Sequence, residues 1–444
     1  MRFSRLLAVP AVAVLLLAAC GDDDDDGAAD EEEAPDEEAP DDEELTGTVT
    51  VFSAMEPEEV DALNEAVDEL IVPEVGYSVD NEGSGDFVEQ FQIRLEGGNP
   101  PDIALHPQPG TVQEVAAAGE AFALEDLGFD IDELEATFGE HLLSLGEFEG
   151  KHYGLPTNVN LKSMIWYAKP AFDDAGYEIP ETWDDLLALS DQIVEDGGTP
   201  WCVGYEDGAA SGWPATDWME DIMLRTAGPD VYDQWWQHEI PFNDPAVINA
   251  AEVMGEVMFA EDYVLGGADQ TVAIAFGDAP NPMFNDPPGC LMHRQASFIS
   301  AFFPEGVEAG VDYDWFPFPP IDQEGILFAG ELAMVFRDDP EVVDFLERFA
   351  SEPVQCAQGA EVETSRISPN VDVGPDCYAN EVLADSAAVL TEALAEGTGR
   401  FDASDLMPAA VGSGSFWTAM LQYMQGGPAT LEDAFQAVEA DWPS

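Results

Sequence analysis

The chain has 444 residues, of which 46% are hydrophobic and 10% aromatic, enough for a folded protein with more than one domain. It carries 93 acidic residues against 12 lysines and arginines, a formal net charge of −81 at pH 7. Such a chain repels the phosphates of nucleic acids and the headgroups of anionic lipids. We therefore exclude proteins that bind DNA, RNA or an anionic membrane surface through basic patches.

Residues 1–19 are typical of a lipoprotein signal peptide. Arg2 and Arg5 precede the apolar stretch Leu6–Ala19, which is too short to span a membrane but has the length of a secretory signal. The sequence LAACG at its end resembles a bacterial lipobox, in which Cys20 accepts the lipid. Ordinary cleavage that leaves a free thiol is the alternative. We expect several acyl chains on this cysteine to hold the protein at the outer face of the cytoplasmic membrane.

Residues 20–45 are expected to form a disordered acidic tether. Between Gly21 and Glu44, 16 of 24 residues are acidic and none is a large apolar residue, so the segment repels itself and has nothing to bury. Five of its residues match the EF-hand calcium loop, but the flanking helices of that motif are missing, and we expect no metal site. The five are Asp22, Asp24, Asp26, Gly27 and Glu33.

The rest of the chain is also strongly acidic. From Leu45 onward, 77 acidic residues stand against ten basic ones, a net charge of −67. Such a surface stays hydrated where salt screening is heavy, since the Debye length falls to about 3 Å at 1 M. The simplest interpretation is adaptation to high salt, and an acid-biased proteome is the alternative.

Four cysteines remain after Cys20. An even number in an oxidising compartment indicates two disulfides, although four cysteines allow three pairings. Of these we favour a local Cys356–Cys377 bridge and a long-range Cys202–Cys290 bridge.

The chain after Leu45 alternates strands and helices. We predict a strand at 48–52, a helix at 57–72, a strand at 77–81, a helix that follows Gly83-Ser84-Gly85-Asp86 and ends at Glu96, and a strand at 102–106. This βαβαβ alternation predicts an α/β protein with a parallel sheet and helices on both of its faces.

The pattern changes at 153–168, where a polar turn at 157–160 leads into a long apolar strand. Beyond it the chain is mostly helical. Helices are predicted at 182–195, 216–227, 230–237, 245–260, 269–276, 340–350, 381–396, 413–425 and 430–440. Strands are predicted near 201–204, 290–293, 312–316 and 330–336.

Several stretches carry a resemblance to a known family. They are GSGDFVEQFQIRLEGGNPPDIALHPQPG (83–110), YGLPTNVNLKSMIWY (153–167), GWPATDWMEDIMLRTAGPDVYDQWWQHEIPF (212–242), PPGCLMHRQASFISAFFP (287–304) and RFDASDLMPAAVGSGSFW (400–417). With them, residues 47–444 resemble the extracellular solute-binding proteins of the family-1 carbohydrate class, and within that class the α-glucoside-binding branch. The long acidic tether departs from the family, and the Cys356–Cys377 bridge lies outside the shared stretches.

The resemblance implies a two-lobed, type II periplasmic-binding-protein-like fold whose discontinuous lobes close on a ligand around a hinge. We place lobe 1 at 46–157 plus 325–370 and lobe 2 at 158–324 plus 371–444. The implied function is that of a monomeric, lipid-anchored sugar receptor that delivers an α-glucoside or related oligosaccharide to the permease subunits of an ABC importer. No cofactor is implied. Ligands of such folds bind in clefts between domains.

Enzyme signatures are absent from the sequence. It contains no GxSxG, Walker A or HExxH motif, and its five histidines are scattered. A glycoside hydrolase needs only two suitably spaced carboxylates, which 93 acidic residues cannot exclude. A lipid-anchored glycosidase therefore remains the enzymatic alternative, and a receptor for a polyol or an osmolyte glycoside remains the alternative among binding proteins.

Sugar binding requires aromatic rings for the C–H faces of a pyranose and planar polar groups for its hydroxyls. Trp213 and Trp218, with Asp217 between them, supply both at a loop-to-helix junction, and we expect Trp218 to face the ligand. The alternative is that one of the two tryptophans packs in the core. We expect a core position for the tryptophans that lie inside regular elements: Trp166, Trp183, Trp235 and Trp236.

The remaining candidate ligand contacts lie where predicted elements begin or cross. Ser84 and Asp86 stand at a helix N-terminus, where helix capping explains them equally well. Arg366 is one of only ten basic residues after Leu45 and is expected to pair with carboxylates or with the ligand. The others are Gln108, Asn158, Glu331, Phe416 and Trp417.

Overall fold

The computed structural model describes residues 45–361 and 365–443. The signal peptide, Cys20 and nearly all of the acidic tether lie outside these ranges, so what the sequence predicts for them stays a prediction. Within the ranges, no helix combines the length and the apolar character needed to cross a membrane.

Eleven strands are present in the described residues. They are β1 Gly47–Ser53, β2 Tyr77–Gly83, β3 Ile103–His106, β4 Glu147–Phe148, β5 Lys151–His152, β6 Leu155–Leu161, β7 Met164–Ala168, β8 Met292–Arg294, β9 Tyr313–Pro317, β10 Ile326–Val335 and β11 Gly399–Phe401.

Sixteen α-helices accompany these strands in the described ranges. They are α1 Pro57–Leu70, α2 Phe87–Glu96, α3 Pro109–Ala118, α4 Ile131–Phe138, α5 Glu140–Ser144, α6 Lys169–Ala175, α7 Trp183–Glu195, α8 Trp213–Ala227, α9 Pro229–Trp236, α10 Pro245–Met258, α11 Pro340–Phe349, α12 Glu352–Ala360, α13 Glu381–Glu396, α14 Ala403–Leu406, α15 Trp417–Gly426 and α16 Leu431–Asp441. Short 3₁₀ helices include Gly208–Ala210, Ala268–Ala273 and Ser297–Phe302, and Ala410–Phe416 forms a π-helical segment.

The main sheet has the order β11-β10-β3-β1-β2, with β6 also paired to β10. β1 lies parallel to both β2 and β3, as the βαβαβ alternation predicts. The returning strand β10 runs antiparallel to β3, so the sheet is mixed. A second, three-stranded sheet has the order β8-β7-β9.

Strands β6 and β10 connect the two halves of the molecule. Near its C-terminal end β10 pairs with β3, along most of its length it pairs with β6, and at its N-terminal end it pairs with β11. Glu331 lies opposite Asn158 in this pairing. The chain therefore crosses here twice in opposite directions, which brings residues distant in sequence to one place.

The buried residues form two clusters. The members of one come only from residues 49–155 and 333–354, so this core joins an N-terminal and a returning segment. The other holds most of the buried residues of 159–328 and 367–438, together with residues such as Phe52 and Phe87 that lie on the other face of the main sheet. The lobe bounds given above remain a prediction.

Both predicted disulfides are present. Cys202 is bonded to Cys290 across 88 residues, and Cys356 to Cys377 across 21 residues. The Cα–Cα distances are 5.4 and 4.8 Å, within the usual range for disulfides.

Several predicted elements differ from the structure. The polar turn predicted at 157–160 is instead part of strand β6, Leu155–Leu161, and the returning strand predicted at 330–336 begins at Ile326. Residues 269–276 form only the 3₁₀ helix Ala268–Ala273, and Trp201 makes isolated bridges to Val264 and Met292 instead of a strand. Helix α15 begins at Trp417 and not at 413, because the chain first makes a π-helical segment. In that segment a Cβ on Gly412 would lie 1.8 Å from the carbonyl oxygen of Ser404, so only glycine permits this close approach.

Candidate functional site

A cavity of about 190 Å³ lies where the crossing strands meet the first turns of several helices. On one side are the starts of α1 and α3 and the crossing strands β6 and β10. On the other side are the starts of α8 and α15 and the segments around residues 276 and 300. The first is called the polar side here, because it carries all three amide groups of the lining, and the second the aromatic side, because it carries five of the six aromatic rings.

The aromatic side consists of five rings from the second half of the molecule. Trp213, the first residue of α8, lies 5.1 Å from the ring of Phe276 and 5.9 Å from that of Phe298. Its indole Nε1 donates a hydrogen bond of 2.7 Å to Oδ2 of Asp207, which fixes the orientation of the ring. The remaining rings of this side are Phe302 and Trp417.

A glycine allows α8 and α15 to begin side by side. Gly212 precedes α8 with φ of 112°, a conformation that residues with a side chain rarely adopt. A Cβ at this position would lie 2.5 Å from the carbonyl oxygen of Trp417. Gly212 thus places Trp213 and Trp417 at the same cavity.

The polar side is held by the crossing strands. Asn158 and Asn160 are two residues apart on β6 and therefore point to the same face, and Glu331 lies opposite Asn158 on β10. All three line the cavity, together with Gln108 at the N-terminus of α3 and Arg366. These residues offer amide, carboxylate and guanidinium groups, the types that bind hydroxyls.

Arg366 contacts both crossing strands of this side. Its Nη2 lies 2.9 Å from Oε2 of Glu331 and donates a 3.2 Å hydrogen bond to the carbonyl oxygen of Thr157. Arg366 is only 5% exposed, so its charge needs the carboxylate partner that Glu331 provides.

A buried ion network lies beneath the cavity. Nζ of Lys162 is bonded to Oδ2 of Asp402 and, at 2.7 Å, to Oδ1 of Asp217. Arg294 continues the network, at 3.1 Å from Asp217 and 2.7 Å from Asp221, and Arg225 is also bonded to Asp221. The network therefore pairs three cations with three carboxylates.

Two more carboxyl groups, those of Glu220 and Asp405, adjoin the network. Burial raises the pKa of Glu220 and of Asp405 well above the usual range, with Asp402 as a further cause. Burial also raises the pKa of Asp217, to about 6, against the opposing effect of Lys162. Asp402 differs: burial raises its pKa, but the charge of Lys162 and hydrogen bonds from Lys162, Asp217 and Ser404 together lower it to about 2.

Two carboxyl groups at the edge of the cavity also have raised pKa values. Burial raises the pKa of Glu59, on the first turn of α1, to about 7. Burial raises that of Asp207 to about 6, although the hydrogen bond from Trp213 opposes the rise. Both groups bind protons more readily than exposed carboxylates near neutral pH.

The carboxyl oxygens of Asp217, Glu220 and Asp402 lie close enough together to hold a metal ion. Lys162 already supplies the positive charge at this place, since its ammonium group is bonded to two of the three. This cluster therefore gives no reason to propose a metal.

Six of the predicted site residues come together at the cavity, although they come from both halves of the chain. They are Gln108, Asn158, Trp213, Glu331, Arg366 and Trp417. Ser84 and Asp86 lie beside it, on either side of Gly85, which does line it. Oγ of Ser84 accepts hydrogen bonds from the Asp86 backbone and from the Gln90 side chain. Asp86 stands at the N-cap position of α2, but its side chain makes no capping hydrogen bond.

Three predicted site residues lie elsewhere, and for them the prediction of a ligand-facing position is wrong. Trp218 is 1% exposed, because it lies on another face of α8 from Trp213 and packs against Trp201 and Phe318. Asp217 is fully buried in the ion network. Phe416 is also fully buried, with its ring 4.8 Å from that of Phe242.

The core positions predicted for the other tryptophans are mostly confirmed. Trp166, Trp183 and Trp235 are at most 4% exposed, whereas Trp236 is only partly buried.

The sequence predicted six of the 25 residues that line the cavity and missed 19 of them. The alternation of side chains along the strand, which places Asn160 on the same face as Asn158, was one available signal, and the scarcity of lysine was another, for Lys162. No local pattern singles out the other missed residues with polar or aromatic side chains: Glu56, Glu59, Phe87, Asp207, Phe276, Phe298, Phe302, Asp402 and Asp405.

Comparisons with known proteins agree with this architecture. The chain is 38% identical over 409 residues to the alpha-glucosides-binding periplasmic protein AglE of Rhizobium meliloti, covering 89% of this chain and 87% of that protein. It is 37% identical over 401 residues to the osmoprotective compounds-binding protein GgtB of Synechocystis, covering 89% and 92%.

Solved structures show the same fold. The bacterial solute receptor AcbH, described with an exclusive preference for β-D-galactopyranose, superposes with a TM-score of 0.71 at 20% identity, covering 89% of this chain and 98% of that one. The predicted two-lobed α/β fold is thereby confirmed. Residues 57–355 match the family model described as bacterial extracellular solute-binding protein. The chain therefore belongs to the bacterial extracellular solute-binding proteins.

Proposed function

We propose that this protein is a receptor that binds a short α-glucoside in the cavity between its lobes and delivers it to an ABC importer. The observation that carries the proposal is the arrangement of the cavity, in which five aromatic rings face the amides and the Glu331–Arg366 pair. A pyranose presents C–H patches to aromatic rings and hydroxyls to planar polar groups, so both sides of the cavity have a partner on one ligand.

The size of the cavity favours a small glycoside. Its volume of about 190 Å³ lies below the range of about 300–1,000 Å³ that is common for drug-sized ligands. The two relatives fit this class, since one is described as binding α-glucosides and the other as binding osmoprotective compounds. A polyol glycoside that serves as an osmolyte is thus a second candidate ligand.

Attachment to the membrane is part of the proposal. Cys20 would carry the lipid, and the acidic segment up to residue 45 would let a monomeric body reach a permease in the same membrane. Each lobe would then close on the ligand around the β6–β10 crossing, with the lobe bounds predicted from the sequence.

Titration with defined sugars tests the binding function. Trehalose, sucrose, maltose and 2-O-α-glucosylglycerol would be added to the purified protein, with tryptophan fluorescence and isothermal titration calorimetry as measurements. We expect saturable binding of at least one of them. Trp213→Ala should weaken it about 30-fold or more, because a central aromatic contact commonly contributes about 2 kcal/mol or more.

Trp236→Ala is the matched control, since Trp236 is also partly buried but lies outside the cavity lining. Equal affinities of the two variants would remove the aromatic side from the proposal, and no binding of any sugar would contradict the receptor function. Chromatography of each sugar after prolonged incubation tests the enzymatic alternative, which release of glucose would support.

A further inference from the structure

The polar side of the cavity has amide oxygens that accept no hydrogen bond from the protein. Gln108 is 7% and Asn158 6% exposed, yet Oε1 of the first and Oδ1 of the second accept no hydrogen bond within the described part of the chain. Oδ1 of Asn160 likewise accepts no hydrogen bond from the described residues. The orientation of Gln108 is fixed, because its amide is hydrogen-bonded to Asp405, a bond that opposes the rise in the pKa of that carboxyl group. Buried acceptors without partners are costly, so a ligand that binds here must donate hydrogen bonds.

The cations of the same cavity are already paired. Lys162 is bonded to Asp217 and Asp402, and Arg366 lies 2.9 Å from Glu331. An anionic ligand group would therefore compete with built-in carboxylates for each positive charge. Arg366 Nε, which has no partner among the described residues, can still donate to a neutral hydroxyl.

The cavity opens into a larger outer chamber of about 860 Å³. The two share Glu56, Glu59, Asp207, Phe276 and Phe302, so a ligand too long for the inner cavity extends into the chamber.

Six carboxyl groups line this outer chamber, and its described lining contains no lysine, arginine or histidine. Two come from the start of α1 and four from the opposite side of the cleft: Glu56, Glu59, Glu206, Asp207, Asp278 and Glu305.

We infer that the cleft is a charge filter, which accepts uncharged glycosides and rejects glycosides whose aglycone carries a carboxylate or a phosphate. The inference rests on the proposed function and adds the class of ligand. The inner acceptors require hydroxyl donors from the sugar, and the outer carboxylates repel an anion attached to it. Each carboxylate of the chamber that lies several ångströms from such an anion forms a pair of like charges that repel each other. Several such pairs together lower the affinity strongly.

Matched ligand pairs test the filter by calorimetry. Maltitol and maltobionate differ only in a CH₂OH and a COO⁻ group on the aglycone, and so do 2-O-α-glucosylglycerol and 2-O-α-glucosylglycerate. Where the protein binds a ligand pair, we expect the neutral compound to bind at least about 30-fold more tightly than its anionic counterpart at low salt. At about 1 M NaCl the ratio should fall several-fold, because the Debye length shortens to about 3 Å.

A double variant locates the effect. Glu206→Gln with Asp278→Asn removes two charges from the outer chamber and should lower the neutral-to-anionic affinity ratio about tenfold. Glu206 accepts a hydrogen bond from the Gly208 backbone, and Asp278 accepts one from the Asn281 side chain. The amide oxygens of the variants can still accept both bonds, so the changes remove charge and keep the local structure. Asp269→Asn is the control, since Asp269 is exposed like Asp278 and also accepts a hydrogen bond from a side-chain amide, but lies in another surface groove.

The possible outcomes separate the two proposals. Equal affinity for the neutral and the anionic member overturns the charge filter and leaves the receptor function standing. An effect of Asp269→Asn as large as that of the double variant also overturns the filter, because it would assign selectivity to the overall charge of the protein. Failure of both neutral compounds, and of the other sugars, to bind overturns the receptor function and the filter with it.

Discussion

Lys162→Met is expected to destabilise the protein more than any comparable change at a lysine. Lys162 is 4% exposed, and its ammonium group is the link between Asp217 and Asp402. Methionine has a similar length but no charge, so the variant keeps most of the packing. Asp217 retains Arg294 as a partner at 3.1 Å, whereas Asp402 loses its cation.

The magnitude follows from the burial of this carboxylate. Removing one partner of a buried ion pair typically costs about 3–5 kcal/mol, because the other charge stays buried without compensation. For about 400 residues, an unfolding entropy of about 2.1 cal/mol/K per residue gives about 0.8 kcal/mol/K. The melting temperature should therefore fall by about 4–6 °C, measured by calorimetry without ligand.

The pH dependence gives a second signature. In the wild type Lys162 contributes most to holding the pKa of Asp402 at about 2, despite burial. Without the ammonium group, burial raises the pKa of Asp402 above its value in the unfolded state. The protonated carboxyl then favours the folded variant at low pH, and this contribution to the free energy of unfolding is lost as the pH rises. The deficit of Lys162→Met should hence be larger at pH 8 than at pH 5.

Lys169→Met is the matched control. Its ammonium group lies 3.6 Å from Asp314, and both side chains are about one-third exposed, so the pair contributes about 0–1 kcal/mol. Adding Asp402→Asn to Lys162→Met should recover part of the loss, because it removes the uncompensated charge. Melting temperatures of the Lys162 and Lys169 variants within about 1 °C of each other at both pH values would refute the reasoning.

Four further predictions concern the core, proton binding, salt and the membrane. Trp218→Ala should cost about 3–5 kcal/mol in denaturant unfolding and leave the ligand affinity of the folded protein nearly intact; weakened binding without loss of stability would contradict its core position. The melting temperature should fall as the pH rises from 5 to 8, because five buried carboxyl groups with raised pKa values hold protons in the folded state that the unfolded state has released: Glu59, Asp207, Asp217, Glu220 and Asp405. They outnumber the three histidines whose lowered pKa values act in the opposite direction, which are His106, His141 and His293. A rise with pH would show that these protons are not held. Raising NaCl to molar levels should raise the melting temperature, since cations relieve the repulsion of a body with a net charge of −67, and a flat curve would favour an acid-biased proteome. Cys20→Ala should move the protein from the membrane fraction to the medium on immunoblots, and its retention at the membrane would contradict the lipid anchor.

The sequence predicted the elements with strong local patterns. The helix Glu381–Glu396 has the predicted bounds, and the first strand, helix and strand differ from the structure by two residues or fewer at each end. These segments combine clear hydrophobic periodicity with clear stop signals, so local physics decides them. Helices such as α3 and α12 were missed, because their first residues include prolines and glycines that resemble a loop.

The choice between Trp213 and Trp218 could not be made from local sequence. Five residues on a helix of 3.6 residues per turn separate two side chains by about 140°, so only one of the two tryptophans can face the cavity. Which one faces it depends on how α8 packs. Trp218 packs against Trp201 and Phe318, which lie outside α8, so the pattern of the helix alone does not decide this. Asp217 lies about 40° from Trp213 on the same helix, on the side of the cleft but beneath its surface.

In a chain with 93 acidic residues, a carboxylate gives little information about a site, and a cation gives much more. Four of the ten basic residues after Leu45 are buried: Lys162, Arg225, Arg294 and Arg366. Two of them line the cavity and the other two belong to the ion network beneath it. Burying a charge is costly unless it is paired, so a protein with few cations buries them only where several carboxylates must be held in place. The scarcity of cations led us to select Arg366, which is paired with a carboxylate as expected. The same argument, applied to the three lysines, would have selected Lys162 from the sequence.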